Sequence, residues 1–492
     1  MTLEAPHLDP AFLNSQSLAY RVVPVYSRLM RYKTGDDVAF GEVIIEPDLA
    51  ERWEIARDGK TYTFHLRKGV KWHNLPPVNG RELTAEDVLF SYTRLWKTET
   101  SAQSPWFIAV QNIEATDKYT IKVTMKDPSA TFFTLMAHAW AFIHPREVVE
   151  RDGDVKLMTI GSGPFIMSKR QRDVKTELRR NPNYFIADIP YLDGVDVFFI
   201  PDDTAALAAL RATQIDWLGL ERSIEIKSIR ETRPDMVMAQ RYLGLSHNFH
   251  FATDVPPFND DKLRKAVSLT LDRDRDIKIF LGGEGEYATI PSGNWKGWTL
   301  STEELGEHNY WKRNLQRARK LLEEGGYPIP YEVPFLHNLL FDARVAGYVS
   351  DLNESGLFKL KVRPVTREEY LSGAFIGRYS AGYNFTMGGL GLALEPGLML
   401  TEKYHPKQPV RNNSRVNDPI LTKMIEEQDT IMDVEARKKK IHEIQRYAAT
   451  KMYYAPLTQG FAYLYRQPYV RNLTETAQFN MGDVWRSVWL KK

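Results

Sequence analysis

Polar and apolar residues alternate along Thr61-Tyr62-Thr63-Phe64-His65-Leu66 and again along Thr120-Ile121-Lys122-Val123-Thr124-Met125. A period of two predicts half-buried strands at both places. Between them, Thr84 is followed three residues later by Asp87, a near relative of the capping box that opens a helix. Val88, Leu89, Tyr92, Leu95 and Trp96 then share one face at helical spacing, so residues 47–160 read as a compact α+β unit. A second group of strands is predicted from Gly163 to Ile200, with turns at Asn181-Pro182-Asn183 and Ala187-Asp188-Ile189-Pro190, then a helix over Ala205 to Ala212. Beyond Val255-Pro256-Pro257-Phe258 the helical content rises. Leu263, Ala266, Val267 and Leu271 form one stripe. Leu315, Ala318, Leu321 and Leu322 form another, stopped by Gly325-Gly326 and Pro328. Asp418-Pro419 opens a third helix, with Leu421, Met424, Ile425, Gln428 and Met432 facing inward and Arg437 to Lys440 on a solvated face. The interleaving of both periods makes the chain mixed α/β.

At 492 residues the chain exceeds what one hydrophobic core supports, so two or three domains are expected. Lys+Arg 65 against Asp+Glu 63 leaves a net charge of +2, which carries no signature of a nucleic-acid partner. The longest apolar stretch, Phe132 to Ile143, falls short of the ~20 residues a membrane span needs. Cysteine is absent, which removes disulfides, thiolate metal sites and cysteine catalysis. The opening Met-Thr-Leu-Glu-Ala-Pro-His lacks the basic and apolar regions of a signal peptide, as expected of a cytoplasmic chain or a mature exported one.

A search for activated chemistry yields no catalytic residue, metal set or cofactor motif. There is no Gly-x-Ser-x-Gly elbow and no phosphate loop. Gly283-Glu284-Gly285-Glu286-Tyr287-Ala288 matches a dinucleotide fingerprint formally, but it follows an amphipathic helix where that motif needs a strand, so it reads as a glycine turn. His247 and His250 lie on a predicted strand, where residues three apart point to opposite faces and cannot share a metal. They read as structural histidines. Asp272, Asp274 and Asp276 read as surface ion pairs and a helix cap. Trp295 and Trp298, in Ser-Gly-Asn-Trp-Lys-Gly-Trp, are loop aromatics that either meet a ligand or pack beneath the loop.

Longer segments carry a specific likeness. Glu46-Pro47-Asp48-Leu49-Ala50-Glu51-Arg52-Trp53, Asp58 through His73, and Leu83-Thr84-Ala85-Glu86-Asp87-Val88 resemble the signature region of the family 5 extracellular solute-binding proteins, the oligopeptide, dipeptide and nickel type receptors of ABC importers. Gly161-Ser162-Gly163-Pro164-Phe165, Asn181-Pro182-Asn183-Tyr184, Pro256-Pro257-Phe258-Asn259-Asp260, Leu271-Asp272-Arg273 and Ala318 through Tyr327 follow in family order. The resemblance implies a two-lobe class II periplasmic-binding-protein fold with an extra α+β subdomain, of cluster C type. Lobe one would comprise residues 1–46, 161–253 and 461–492, the extra subdomain 47–160, and lobe two 254–460. Two chain crossings would form a hinge, and a small ligand bound between the lobes would be delivered to an inner-membrane ABC permease by a periplasmic monomer.

The resemblance also implies four contact segments: Asn14-Ser15-Gln16-Ser17; Leu218-Gly219-Leu220-Glu221; Thr386-Met387-Gly388-Gly389-Leu390-Gly391, ahead of Glu395-Pro396; and Thr458-Gln459-Gly460-Phe461. Trp295 and Trp298 are added as candidate stacking residues. Peptide receptors of the family place an Asp shortly before the Asp/Glu-Pro to pair with the peptide's α-amine. Here Met387 to Leu394 contains no carboxylate. An ammonium in a closed cleft needs a paired charge, so the expected ligand shifts toward a non-standard peptide, an opine-like conjugate, an oligosaccharide or glycoside, or a metal chelate. The alternatives are an oligopeptide receptor that uses another amine-pairing residue, Glu221 foremost, and a cleft hydrolase.

Overall fold

The computed structural model describes residues 7–491 apart from 10, 13–15, 40–41, 99–100, 102, 158, 221–222, 243–246, 293–294, 390–394, 408–411 and 475–481. The chain forms two compact units. The first holds residues 1–220, 227–241 and 463–492, the second 221–226 and 242–462.

In the first unit the alternation of Thr61–Leu66 and Thr120–Met125 becomes burial on one face only. The two strands pair antiparallel at the centre of a four-stranded sheet, flanked by Ala50–Ile55 and Val110–Asp117. The helix Ala85–Lys97 starts in the expected capping box: the Asp87 carboxylate accepts from the Thr84 amide at 2.9 Å. It buries Val88, Tyr92 and Leu95, while Trp96 stacks on Phe107. These elements lie inside 47–160. An antiparallel meander of Phe165–Gln171, Lys175–Arg180 and Gly194–Phe198 follows, and the next helix runs Asp203–Arg211 from an Asp202 cap. A side chain at Gly161 would collide with the Val25 carbonyl, and the Gly163 amide donates to that same oxygen at 2.9 Å. Close backbone approach is thus what the Gly161-Ser162-Gly163 motif provides. The terminal segments are joined by a buried Arg28–Asp483 ion pair at 2.6 Å.

The second unit is built on a five-stranded sheet ordered Phe358–Val365, Tyr331–Asn338, Phe385–Gly389, His247–Phe251, Tyr454–Pro456. The first three strands are parallel, and His247–Phe251 runs antiparallel to both of its neighbours. Phe249, Phe251, Phe335 and Phe385 form an aromatic core with Leu263, Ala266, Val267, Ala318 and Leu322, the stripes predicted from periodicity. Tyr348 and Leu352, from helix Asp342–Glu354, join the same core.

Several expectations are revised. Residues 242–253, read as part of lobe one, belong to the second unit because His247–Phe251 is hydrogen-bonded on both sides within its sheet. The third predicted helix ends at Asp429, so Met432 lies in the link to a new helix, Val434–Lys451. Arg437 is not solvated. It is buried in an ion pair with Glu395 at 2.6 Å and bonds Gln428 at 2.9 Å. Asp272 caps helix Arg273–Phe280 as expected, but Asp276 on that helix is buried rather than at the surface. The Gly283–Ala288 turn carries a short strand, Gly285–Tyr287, which pairs with Thr458–Gly460.

Candidate functional site

In open α/β sheets ligands bind outside the carboxyl ends of the parallel strands, because strand-to-helix loops gather there with free backbone groups. In the second unit that edge is defined by Asn338, Gly389 and Pro456, where three strands end, and by His247, where the antiparallel strand begins. His247 pairs with Gly389, and its carbonyl accepts from the Leu457 amide at 2.9 Å. Two predicted contact segments, Thr386 to Gly389 and Thr458 onward, therefore converge on a histidine that the sequence suggested was merely structural.

Around it is a buried polar network. Arg344 donates through Nη1 to His247 Nδ1 at 2.9 Å and through Nε to Asp276 Oδ1 at 2.9 Å. The Thr458 hydroxyl donates to Asp276 and accepts from Arg344 Nη2. Because Nδ1 accepts, the ring proton sits on Nε2 and the imidazole is neutral. Burial, with the adjacent Arg344 charge second, holds its pKa well below the ordinary histidine value. The ring of Phe341 meets His247 edge-on, centroids 4.6 Å apart. Such a group of side chains fixes the direction of its hydrogen bonds at the sheet edge. Among the described residues no three His, Asp or Glu side chains are placed to hold a metal ion.

The remaining candidates fall as follows. Thr386 is buried and donates from Oγ1 to the Leu336 carbonyl at 2.8 Å, and Met387 lies in the core. A Cβ at Gly388 would collide with the Tyr370 hydroxyl, so this glycine makes room for a side chain of its own unit. Leu390 and Gly391 lie outside the described residues, as does the rest of the stretch up to Glu395. Gln459 and Gly460 pair with Glu286 and Gly285, and the Phe461 amide donates to the Glu284 carbonyl at 3.1 Å. In the first unit Leu218, Gly219 and Leu220 pair with Tyr465, Leu464 and Tyr463, while Glu221 lies outside the described residues. Asn14 and Ser15 also lie outside them, and Gln16 and Ser17 open the helix Gln16–Val22.

Trp295 and Trp298 meet edge-to-face at 6.4 Å, and Trp295 is 6% exposed. The Arg437 guanidinium lies over the Trp298 ring at 5.4 Å, and Gln445 Nε2 donates to the Trp298 carbonyl at 2.8 Å. The Trp298 ring is thus engaged with helix Val434–Lys451, and the Trp295 ring is buried beside it, the packing alternative of the two expectations. Sequence reasoning missed Arg344 and Asp276, and also an aromatic cluster in the first unit. There Trp217, next to Leu218, lies 5.0 Å from Tyr20 and 5.3 Å from Trp485. Its signal was the tryptophan immediately before the predicted contact strand.

Residues 45–388 match the family described as bacterial extracellular solute-binding proteins, family 5 Middle. That is well over half of the chain. This protein belongs to family 5 of the bacterial extracellular solute-binding proteins. The family 5 chain is similar to a heme-binding protein A of Haemophilus influenzae, 28% identical over 388 residues, 73% of this chain and 68% of the relative. Its fold matches a periplasmic binding protein of Helicobacter pylori solved with the peptide STSA: TM-score 0.80, 23% identity, coverage 99% and 96%. It also matches a binding protein from A. tumefaciens R10 solved with agropinic acid: TM-score 0.79, 21% identity, coverage 99% and 97%. Those likenesses establish the two-lobe α/β fold for the family 5 chain. Among the described residues no helix is long and apolar enough to cross a membrane.

Proposed function

We propose that this family 5 protein is the substrate-binding component of an ABC importer, capturing a small ligand between two hinged lobes and handing it to an inner-membrane permease. The observation that carries the reading is the carboxyl edge of the second unit's sheet. There two of the expected contact segments meet at His247 and Thr458, among oriented hydrogen-bonding groups. A periplasmic monomer suits that role. Mass spectrometry of the purified, then denatured, protein tests it: a retained small molecule is expected. Preparations that carry none, and that turn over ester or glycoside substrates, would favour the cleft hydrolase.

For the ligand, the reading is a non-standard peptide, an opine-like conjugate, or an oligosaccharide or glycoside. Its support is the absence of a carboxylate from Met387 to Leu394, which leaves an α-amine without its expected partner. The three proteins compared above are named for heme, a peptide and agropinic acid, so similar folds hold dissimilar ligands. Unmodified di- and tripeptides are expected to bind weakly in calorimetry. Sub-micromolar binding that is lost on blocking the peptide N-terminus would instead favour an oligopeptide receptor, with Glu221 the first substitute to examine.

A further inference from the structure

The strand His247–Phe251 sends alternate side chains to opposite faces of the second unit's sheet. Phe249 and Phe251 enter the aromatic core. Asn248 and His250 point the other way and are both fully buried. Neither side chain is satisfied by the protein: Asn248 Nδ2 and Oδ1 and His250 Nδ1 and Nε2 are all buried without a hydrogen-bond partner. Buried polar atoms in native proteins are almost always paired, with ordered water or a bound molecule where no protein group serves. Four such atoms on two adjacent positions of one face form a single unfilled requirement.

The surroundings define what meets it. His250 packs against the Tyr454 ring, centroids 5.8 Å apart, and its Cε1 and the Tyr370 hydroxyl both abut the bare Cα of Gly388. The glycine makes room there for the Tyr370 hydroxyl beside the His250 ring. Residues two apart on a strand have Cα atoms ~7 Å apart, and one water making two ~2.8 Å bonds joins side-chain polar atoms up to about 5.6 Å apart. The amide both donates and accepts, and a neutral imidazole also does one of each. Burial, with the Lys403 charge behind it, holds His250 neutral. The complementary guest is therefore small, uncharged and able to donate and accept at once.

We infer that Asn248 and His250 form an internal binding site for such a guest, either ordered water or a neutral hydroxyl or amide group of a retained solute. The site stands whether or not the chain delivers a solute to a permease. The test is a pair of crystal structures at ~1.5 Å, one of the protein as purified and one after unfolding in guanidinium, dialysis and refolding. Density is expected within about 3.2 Å of an Asn248 side-chain atom and a His250 ring nitrogen. Density in the refolded protein, alone or in both, identifies water; density only in the protein as purified identifies part of a retained solute. No density in either structure, or Asn248 and His250 turned to bond protein groups, overturns the inference.

Discussion

Asp276 and Arg344 place a full charge of each sign beneath the carboxyl edge of the sheet, where Arg344 has only partial access to water. Breaking one partner of a buried pair leaves the other uncompensated, at a cost of about 3–5 kcal/mol. Asp276→Asn should therefore lower unfolding stability by that order in urea denaturation and free His247 from its fixed tautomer, whereas a paired Asp276→Leu, Arg344→Met change should cost less. Equal losses for the single and paired variants would show that the network is held by its other members. Gly388 is a second case. Gly388→Ala drives a methyl into the Tyr370 hydroxyl, and overpacking typically costs about 1–3 kcal/mol. Tyr370→Phe on that background should recover part of the loss, and no recovery would place the clash elsewhere. Neither role is visible in the sequence, because Gly388, Tyr370, Asp276 and Arg344 stand far apart in it and carry no shared pattern.

Elements were legible where burial follows a local period. The strand Thr61–Leu66, the capping box at Thr84 and the Asp418-Pro419 helix start match expectation, since each depends on residues within a few positions of one another. Expectation and structure differ where partners are distant: Arg437 is buried because it meets Glu395, far away in the chain. Histidines on buried elements make a pH prediction. In the first unit burial lowers His73 to about 4 and His138 and His144 to about 3, and in the second His247 and His250 lie well below their ordinary value. Unfolded histidine titrates near ~6.5. Above that pH both states are neutral and nothing is lost. As pH falls below it the unfolded chain takes up protons the folded one refuses, and stability drops by up to about 1.4 kcal/mol per pH unit for each histidine until the folded pKa is reached. Asp351, which burial raises to about 6, and Asp483, which burial also raises, work in the opposite direction, two groups against five. The urea midpoint should thus fall markedly between pH 7.5 and pH 5; a midpoint that is flat or rises would mean these histidines are already protonated or exposed.

At the scale of the whole chain, the proposed closure predicts that adding the true ligand reduces the radius of gyration in small-angle scattering. An unchanged radius at saturation with a confirmed ligand would remove hinge bending. The sequence by itself determined the family, through motifs spread along most of the chain, and the mixed α/β class, through the two hydrophobic periods. It also carried the missing carboxylate before Glu395-Pro396, since an absent side chain needs no coordinates. Only the tertiary structure assigned His247–Phe251 to the second unit, bound Thr458 to Asp276 and Arg344, and turned Trp295 inward. The physical reason is the range of the interactions. Periodicity and capping act within a few residues, whereas sheet order, buried ion pairs and the burial of a loop aromatic are set by groups that meet only once the chain has folded.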